Sequence, residues 1–365
     1  MTIPKLSELA VGRENNLNMI RLLAASLVLY SHSFALVRKG ASQVGGGEAI
    51  GTLLGSQDGG SIAVNAFFLI SGFLVTGSLL KRNDLMFYIR ARMLRLFPAL
   101  FVSLVLTIFV LGPLVSTLRA AEYLSSGQTY RFLLNNLSLW RADYLLPGVF
   151  QDQPNTSPNG SLWTLPMEGR MYLLVATIWL LRGFSARWLF NLVAIFGLIF
   201  TISWPQINPF ILDQRECFIV AAFFLVGMLV YVNMDILPIN GGIAAFLFLL
   251  CLLAHGQSSF DVMFGVALAY GVFWLGFSPK IGFFNRIGDY SYGIYVYAFP
   301  IQQLYVHFFG EISSLKLFAL SMPTTLLVAM ASWHYLEKPA LSLKRRQSAP
   351  LSAGPMESAS RPSKA

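Results

Sequence analysis

The sequence predicts an all-α fold, a polytopic transmembrane helix bundle of about ten spans with both termini cytoplasmic. Three observations predict it. Of 365 residues, 26 are Lys or Arg and 17 are Asp or Glu, so charged residues make up 12%, about half the ~25% of a soluble domain. Hydrophobic residues reach 55% with mean hydropathy +0.61, and they gather into runs of about 17 to 22 residues separated by short polar joints, as membrane-spanning helices do. The third observation is where the positive charges lie. With spans at 18–37, 62–80, 98–118, 163–181, 188–204, 216–232, 241–257, 261–277, 291–309 and 317–335 and the N-terminus inside, 18 of the 26 Lys and Arg fall in inner segments and 8 in outer ones, the bias of a chain with cytoplasmic termini. The net charge of +9 is therefore topological and implies no nucleic acid. Ten spans of ~20 residues use ~200 residues, and what remains is too short and scattered for a separate domain.

The polar lead before Met19 and the length of the first apolar run, which has no convincing small-residue cleavage site, predict a retained helix rather than a signal peptide. That run holds Arg21 and His32. Eleven residues are about three turns, so the two lie ~20° apart around the helix and ~16 Å apart along it, on one stripe. Arg21 is placed to snorkel to the inner surface or to bind an anion. His32 is either a hydrogen-bonded structural imidazole or one that takes a proton near neutral pH, as activating a hydroxyl requires.

The outer segment from Arg38 to Ser61 is glycine-rich, which suits a mobile cover rather than a helix; no Gly-Lys-Ser ending follows that would cradle phosphate. Span 2 carries Asn65 and the small pair Ser71-Gly72, which admits a close neighbouring helix. The inner segment Asp84 to Pro98 is a basic amphipathic helix in which Leu85, Met86, Ile89, Met93, Leu94 and Phe97 alternate with Arg90, Arg92 and Arg95. Either its arginines meet lipid phosphates at the interface, or Arg92 and Arg95 grip a phosphorylated cytoplasmic ligand through forked hydrogen bonds.

The outer segment Arg119 to Gly160 is large enough to shape a binding mouth. Span 4 opens Ser161-Leu162-Trp163-Thr164-Leu165-Pro166-Met167-Glu168. Glu168 there favours the helix N-terminus, or else orients His32 or binds an acceptor. Tyr292, Tyr295 and Phe299 recur at helical spacing in span 9, as a packing stripe or a ligand box. His307 and His334 read as structural. Cys217 and Cys251 fall within spans, so neither a disulfide frame nor a metal site is implied. Residues 1–338 form the membrane domain, and 339–365 a basic, Ser- and Pro-rich cytoplasmic tail of disordered composition.

This constellation resembles acyltransferase family 3, bacterial inner-membrane O-acyltransferases that modify surface carbohydrates. The resemblance rests on Arg21 and His32, Phe67-Phe68-Leu69-Ile70-Ser71-Gly72-Phe73, Arg92-Met93-Leu94-Arg95 before Leu96-Phe97-Pro98, Leu162 to Glu168 with Tyr172, and Tyr290-Ser291-Tyr292-Gly293-Ile294-Tyr295, in family order. It implies a multi-pass inner-membrane enzyme that takes acyl-CoA, most often acetyl-CoA, as donor substrate, with no permanently bound cofactor. Its partners would be membrane lipids and a surface polysaccharide or lipid-linked glycan acceptor. It also implies functional roles for Arg21, His32, Arg92 and Arg95. The chain departs from many members in Gly169-Arg170 after Glu168, and it lacks the extracytoplasmic hydrolase-like domain of some. Combined with the helix arithmetic, the resemblance lays coenzyme A phosphates against Arg92, Arg95 and Arg21, with the thioester at His32 and Asn65 or Ser71 as candidate oxyanion donors. The competing readings are an exporter or flippase of a lipid-linked sugar, and a non-enzymatic scaffold.

Overall fold

The computed structural model describes residues 3–12, 14–37, 47–203, 215–278, 281 and 283–346. Among the described residues every named element is helical, and extended pairing is confined to two isolated bridges, Lys5 with Pro238 and Ser116 with Val149. In chain order the main helices are α1 (Leu17–Val37), α2 (Gly59–Arg82), α3 (Leu85–Leu106), α4 (Gly127–Ser138), α5 (Thr164–Leu180), α6 (Arg187–Ser203), α7 (Arg215–Val232), α8 (Gly241–Leu253), α9 (Phe260–Phe277), α10 (Ser291–Phe309), α11 (Ser314–Ser332) and α12 (Lys338–Arg346). Each expected span overlaps one of these helices, the third, 98–118, only as far as Leu106. Among the described residues, five stretches are long and apolar enough to cross a membrane: Leu17–Val37, Gly59–Arg82, Leu85–Val115, Phe260–Phe277 and Ser314–Leu343. α6, α7 and α8 are apolar but shorter.

Local chemistry sets the helix ends. Asp58 caps α2 by accepting from Ser61 N at 2.7 Å, and Asp84 caps α3 by accepting from Phe87 N at 2.9 Å. Between α2 and α3, Asn83 takes a left-handed conformation with φ 54°, so the chain reverses within two residues. α2 lies at the centre, packed against α1 and α7. Its contact with α7 is backbone to backbone: a β-carbon at Gly72 would strike the Phe224 carbonyl, and one at Gly227 would strike the Leu69 carbonyl. The close approach expected of Ser71-Gly72 is realised there. The start of α1 is stitched to the last turn of α9 and to the chain after it, since Asn16 Nδ2 donates to the Leu275 carbonyl at 2.8 Å and Asn16 Oδ1 accepts from Ile281 N at 2.8 Å.

Several expectations are corrected. Pro98 does not separate an interfacial helix from a span: α3 runs through it and continues by a π-turn, Thr107–Leu111, and the short helix Gly112–Val115. The missing proline N–H costs one helical bond, and burial of Leu96, Ala99 and Leu100 on both sides of it holds the helix together. Along that helix Met86, Ile89 and Met93 face outward at 73%, 41% and 41% exposure, whereas the Arg95 side chain is 13% exposed. The apolar side therefore looks away from the protein and the arginines look in, the reverse of a helix lying flat on lipid. The glycine-rich cover, of which residues 38–46 lie outside the described residues, contains a short helix, Ala49–Leu54. The tail boundary expected at 339 falls inside α12, and residues 347–365 lie outside the described residues.

Candidate active site

One carboxylate gathers the arginines. Asp289 precedes α10, and its Oδ2 accepts from Arg21 of α1 at 2.6 Å and from Arg95 of α3 at 2.7 Å. Its Oδ1 accepts from the Ser291 hydroxyl at 2.5 Å. Burial opposes the charge on Asp289, but the two guanidiniums and the hydrogen bonds from Ser291 outweigh it and hold the carboxyl down to about 2. Arg95 also faces Glu337, with Nη1 3.8 Å from Oε2, and Glu337 accepts from the Ser332 hydroxyl at 3.0 Å. The guanidinium of Arg95 lies 5.5 Å from the Tyr292 ring centre, and the Tyr292 hydroxyl donates to the Leu96 carbonyl at 2.9 Å. Tyr292 thus packs under Arg95 and ties α10 to α3.

Arg92 is held differently. Its guanidinium stands 5.6 Å from the Tyr172 ring centre, and its Nε is buried without a hydrogen-bond partner among the described residues. The Tyr172 hydroxyl donates to Glu168 one turn earlier on α5 and hydrogen-bonds Ser71 of α2. Glu168 and Tyr172 both lie close enough to act on Arg21. The expected set Arg21, Arg92, Arg95, Glu168, Ser71 and Tyr292 therefore converges on one end of the bundle.

His32 sits apart from that set, toward the other end of α1. Its ring meets the edge of Phe299 with centroids 5.1 Å apart, and Nδ1 is buried without a partner among the described residues. On one side, Ser33 accepts from Gln302 Nε2 at 2.7 Å and donates to the Leu29 carbonyl at 3.0 Å. On the other, Ser31 donates to Glu48 at 2.5 Å. Glu168 makes no hydrogen bond to His32 among the described residues; it is engaged by Tyr172. Asn65 is buried at 3% exposure on α2.

Asp289, Glu337, Glu48 and Asp58 escaped the sequence reading. Asp289 lies inside a recognised motif but reads as an ordinary acid before a helix N-terminus. Glu337 reads as the polar end of a span. The signal that could have found them is charge balance, because three arginines buried at one level require carboxylates at that level.

The sequence profile of the family described as acyltransferase domain matches residues 14–334. The chain is 27% identical to a protein named O-acetyl transferase from Shigella phage Sf6 over 337 residues, covering 89% of this chain and 96% of the relative. It is also 27% identical to Nodulation protein 10 of Rhizobium leguminosarum bv. viciae over 369 residues, covering 93% of this chain and 96% of that protein. No solved structure matches. The motifs in family order, the arginine cluster and the match over nearly the whole chain identify this helical protein as a member of acyltransferase family 3, and as an enzyme, an acyltransferase.

Proposed function

We propose that the protein moves an acyl group, most simply acetyl, from cytoplasmic acyl-CoA to a hydroxyl of an extracytoplasmic or lipid-linked polysaccharide across a ten-span inner-membrane bundle. The observation that carries this reading is the arrangement along α1: a cationic cluster at Arg21 and an imidazole three turns further along the same helix. Coenzyme A has phosphates at one end and a thioester at the end of a long flexible arm, so a site for it needs an anion anchor and a reaction centre set apart along one path. Arg92, with its unpaired Nε, is the anchor of first resort. Arg21 and Arg95 add positive field while Asp289 holds their side chains in place.

At the far end, His32 takes the proton of the acceptor hydroxyl as its oxygen attacks the thioester carbonyl, or carries the acyl group itself and passes it on. Glu168 acts through Tyr172 on the donor side. Asn65 remains the candidate oxyanion donor, Ser71 being engaged by Tyr172 among the arginines.

The test is thiol release from acetyl-CoA by the purified chain, with and without envelope glycan, together with the glycan mass in cells with and without the protein. Expected are acceptor-dependent thiol release and a glycan mass difference of one acyl group per modified hydroxyl. Absence of both CoA binding and release overturns the reading and favours export of a lipid-linked sugar.

A further inference from the structure

A general base that takes a proton beneath the membrane surface needs a nearby negative charge, because an imidazolium in an apolar setting has lost most of its solvation. Glu168 does not supply it, being engaged by Tyr172 among the arginines. We propose that Asp58 is the positioning residue for His32: its carboxylate, fixed at the N-cap of α2, stabilises the imidazolium formed during transfer, and Glu48 holds the neighbouring backbone and Ser31 in place. This rests on the reading of His32 as proton acceptor.

Four observations support it. Asp58 is doubly fixed, its Oδ1 accepting from Ser61 N at 2.7 Å and its carbonyl from Ile62 N at 3.1 Å. It lies near α1 at Ser31, the residue before His32, since a β-carbon added at Gly60 would lie 3.2 Å from Ser31 Oγ and 3.4 Å from Asp58 Oδ1. Asp58 lies within electrostatic reach of the His32 ring, while His32 Nδ1 is buried and unpaired among the described residues.

The fourth observation is the scaffold. Glu48 is 2% exposed, and its two oxygens accept from Ser31 Oγ at 2.5 Å and Gly59 N at 3.0 Å, clamping α1 to the start of α2. Burial and the nearby Asp58 push the Glu48 carboxyl up, against the hydrogen bonds from Ser31 and Gly59. Just before Asp58, Ser56 and Gln57 donate to Asp261 Oδ1 at 2.5 and 3.1 Å, and His255 Nε2 meets the Leu53 carbonyl at 3.0 Å. From α10, the uncharged Phe299 and Gln302 reach this part of α1, and His307 lies further along in the last turn. Among the described residues, the titratable groups placed about this end of α1 are thus Asp58 and Glu48, with Asp261 and His255 behind them and His307 further along α10.

The step balances as follows. The acceptor oxygen forms a bond to the thioester carbonyl carbon as its proton passes to the His32 ring. The C–S bond then breaks, and the departing thiolate takes the proton back from the imidazolium to leave as thiol. Asp58 neither gives nor takes a proton in this step.

Asparagine and serine cap helices about as well as aspartate, so Asp58→Asn and Asp58→Ser remove the charge while keeping the bond to Ser61 N. With the purified full chain, acetyl-CoA and the glycan fraction whose acylation depends on this protein, kcat/KM is measured against pH. Expected for both variants are an acid limb displaced by about one unit to lower pH, a kcat at least about tenfold lower, and an unchanged KM for acetyl-CoA. Asp58→Glu should recover part of the loss. An acid limb that coincides with the wild-type limb in either variant, whatever the activity, overturns the proposal. His32→Ala separates the two layers. If it keeps wild-type turnover, the reading of His32 fails; if it is inactive while Asp58→Asn matches wild type at every pH, only the role of Asp58 fails.

Discussion

Arg92 and Arg95 lie one turn apart on α3 yet meet opposite environments. Arg95 is saturated by Asp289 and Glu337, while Arg92 leans on a ring and leaves Nε unpaired. An incoming phosphate gains most where no carboxylate must first be displaced. Arg92→Ala is therefore expected to weaken CoA binding by about tenfold or more, with Arg82→Ala, at the exposed end of α2, staying within about twofold; calorimetric titration with CoA decides it. Equal losses would mean a diffuse surface charge. Arg92→Lys should rescue only in part, because lysine lacks the planar fork.

Asp289 makes a different prediction, about stability. Its carboxyl is held down to about 2, below the ~3.9 of an unfolded aspartate, so its contribution is complete above about pH 4 and fades as pH falls toward 2. Asp289→Asn removes that pH-dependent contribution and strands two guanidiniums. It should cost about 3 kcal/mol or more at pH 7 and flatten the acid arm of a plot of thermal midpoint against pH in detergent. An acid arm identical to wild type would show that the bridge carries no such linkage.

At the level of helices, the α2–α7 seam depends on two glycines that let backbones touch, and a side chain at either must drive the helices apart. Gly72→Leu and Gly227→Leu are expected to lower the thermal midpoint sharply or prevent folding. Gly197→Leu on α6, where a β-carbon meets nothing within 4 Å, should behave as wild type. The sequence announced one half of that seam, since Ser71-Gly72 is a recognisable small pair, but Gly227 sits among large apolar residues and gains meaning only once α7 is placed against it. The continuity of α3 across Pro98 was hidden for a related reason: a proline inside a helix is decided by the burial around it, which no local pattern contains. Arg21, His32 and Glu168 were visible because charge is rare in spans, and Arg92 and Arg95 because they recur at helical spacing beside apolar residues. Their partners were not, because Asp289 is 268 residues from Arg21 in the chain, and Asp58 looks like any helix cap.

For the whole molecule, everything proposed about donor and acceptor requires the arginine cluster and His32 to face opposite compartments. The large exposed apolar side chains on α6 and α8, including Leu192, Phe196, Phe246 and Phe248, make a lipid-facing belt but are silent on direction. The proposed direction rests on the uneven distribution of Lys and Arg. Lys81 and Lys316 are both exposed and separated by an odd number of expected spans, so they should lie on opposite sides. In a background with Cys217 and Cys251 replaced by alanine, a membrane-impermeant maleimide should label Lys316→Cys in intact spheroplasts and Lys81→Cys only after lysis. Labelling of both from one side would break the span count. Labelling of Lys81→Cys alone in intact spheroplasts would invert the molecule, turn the arginines away from cytoplasmic acyl-CoA, and leave the proposed transfer without its donor.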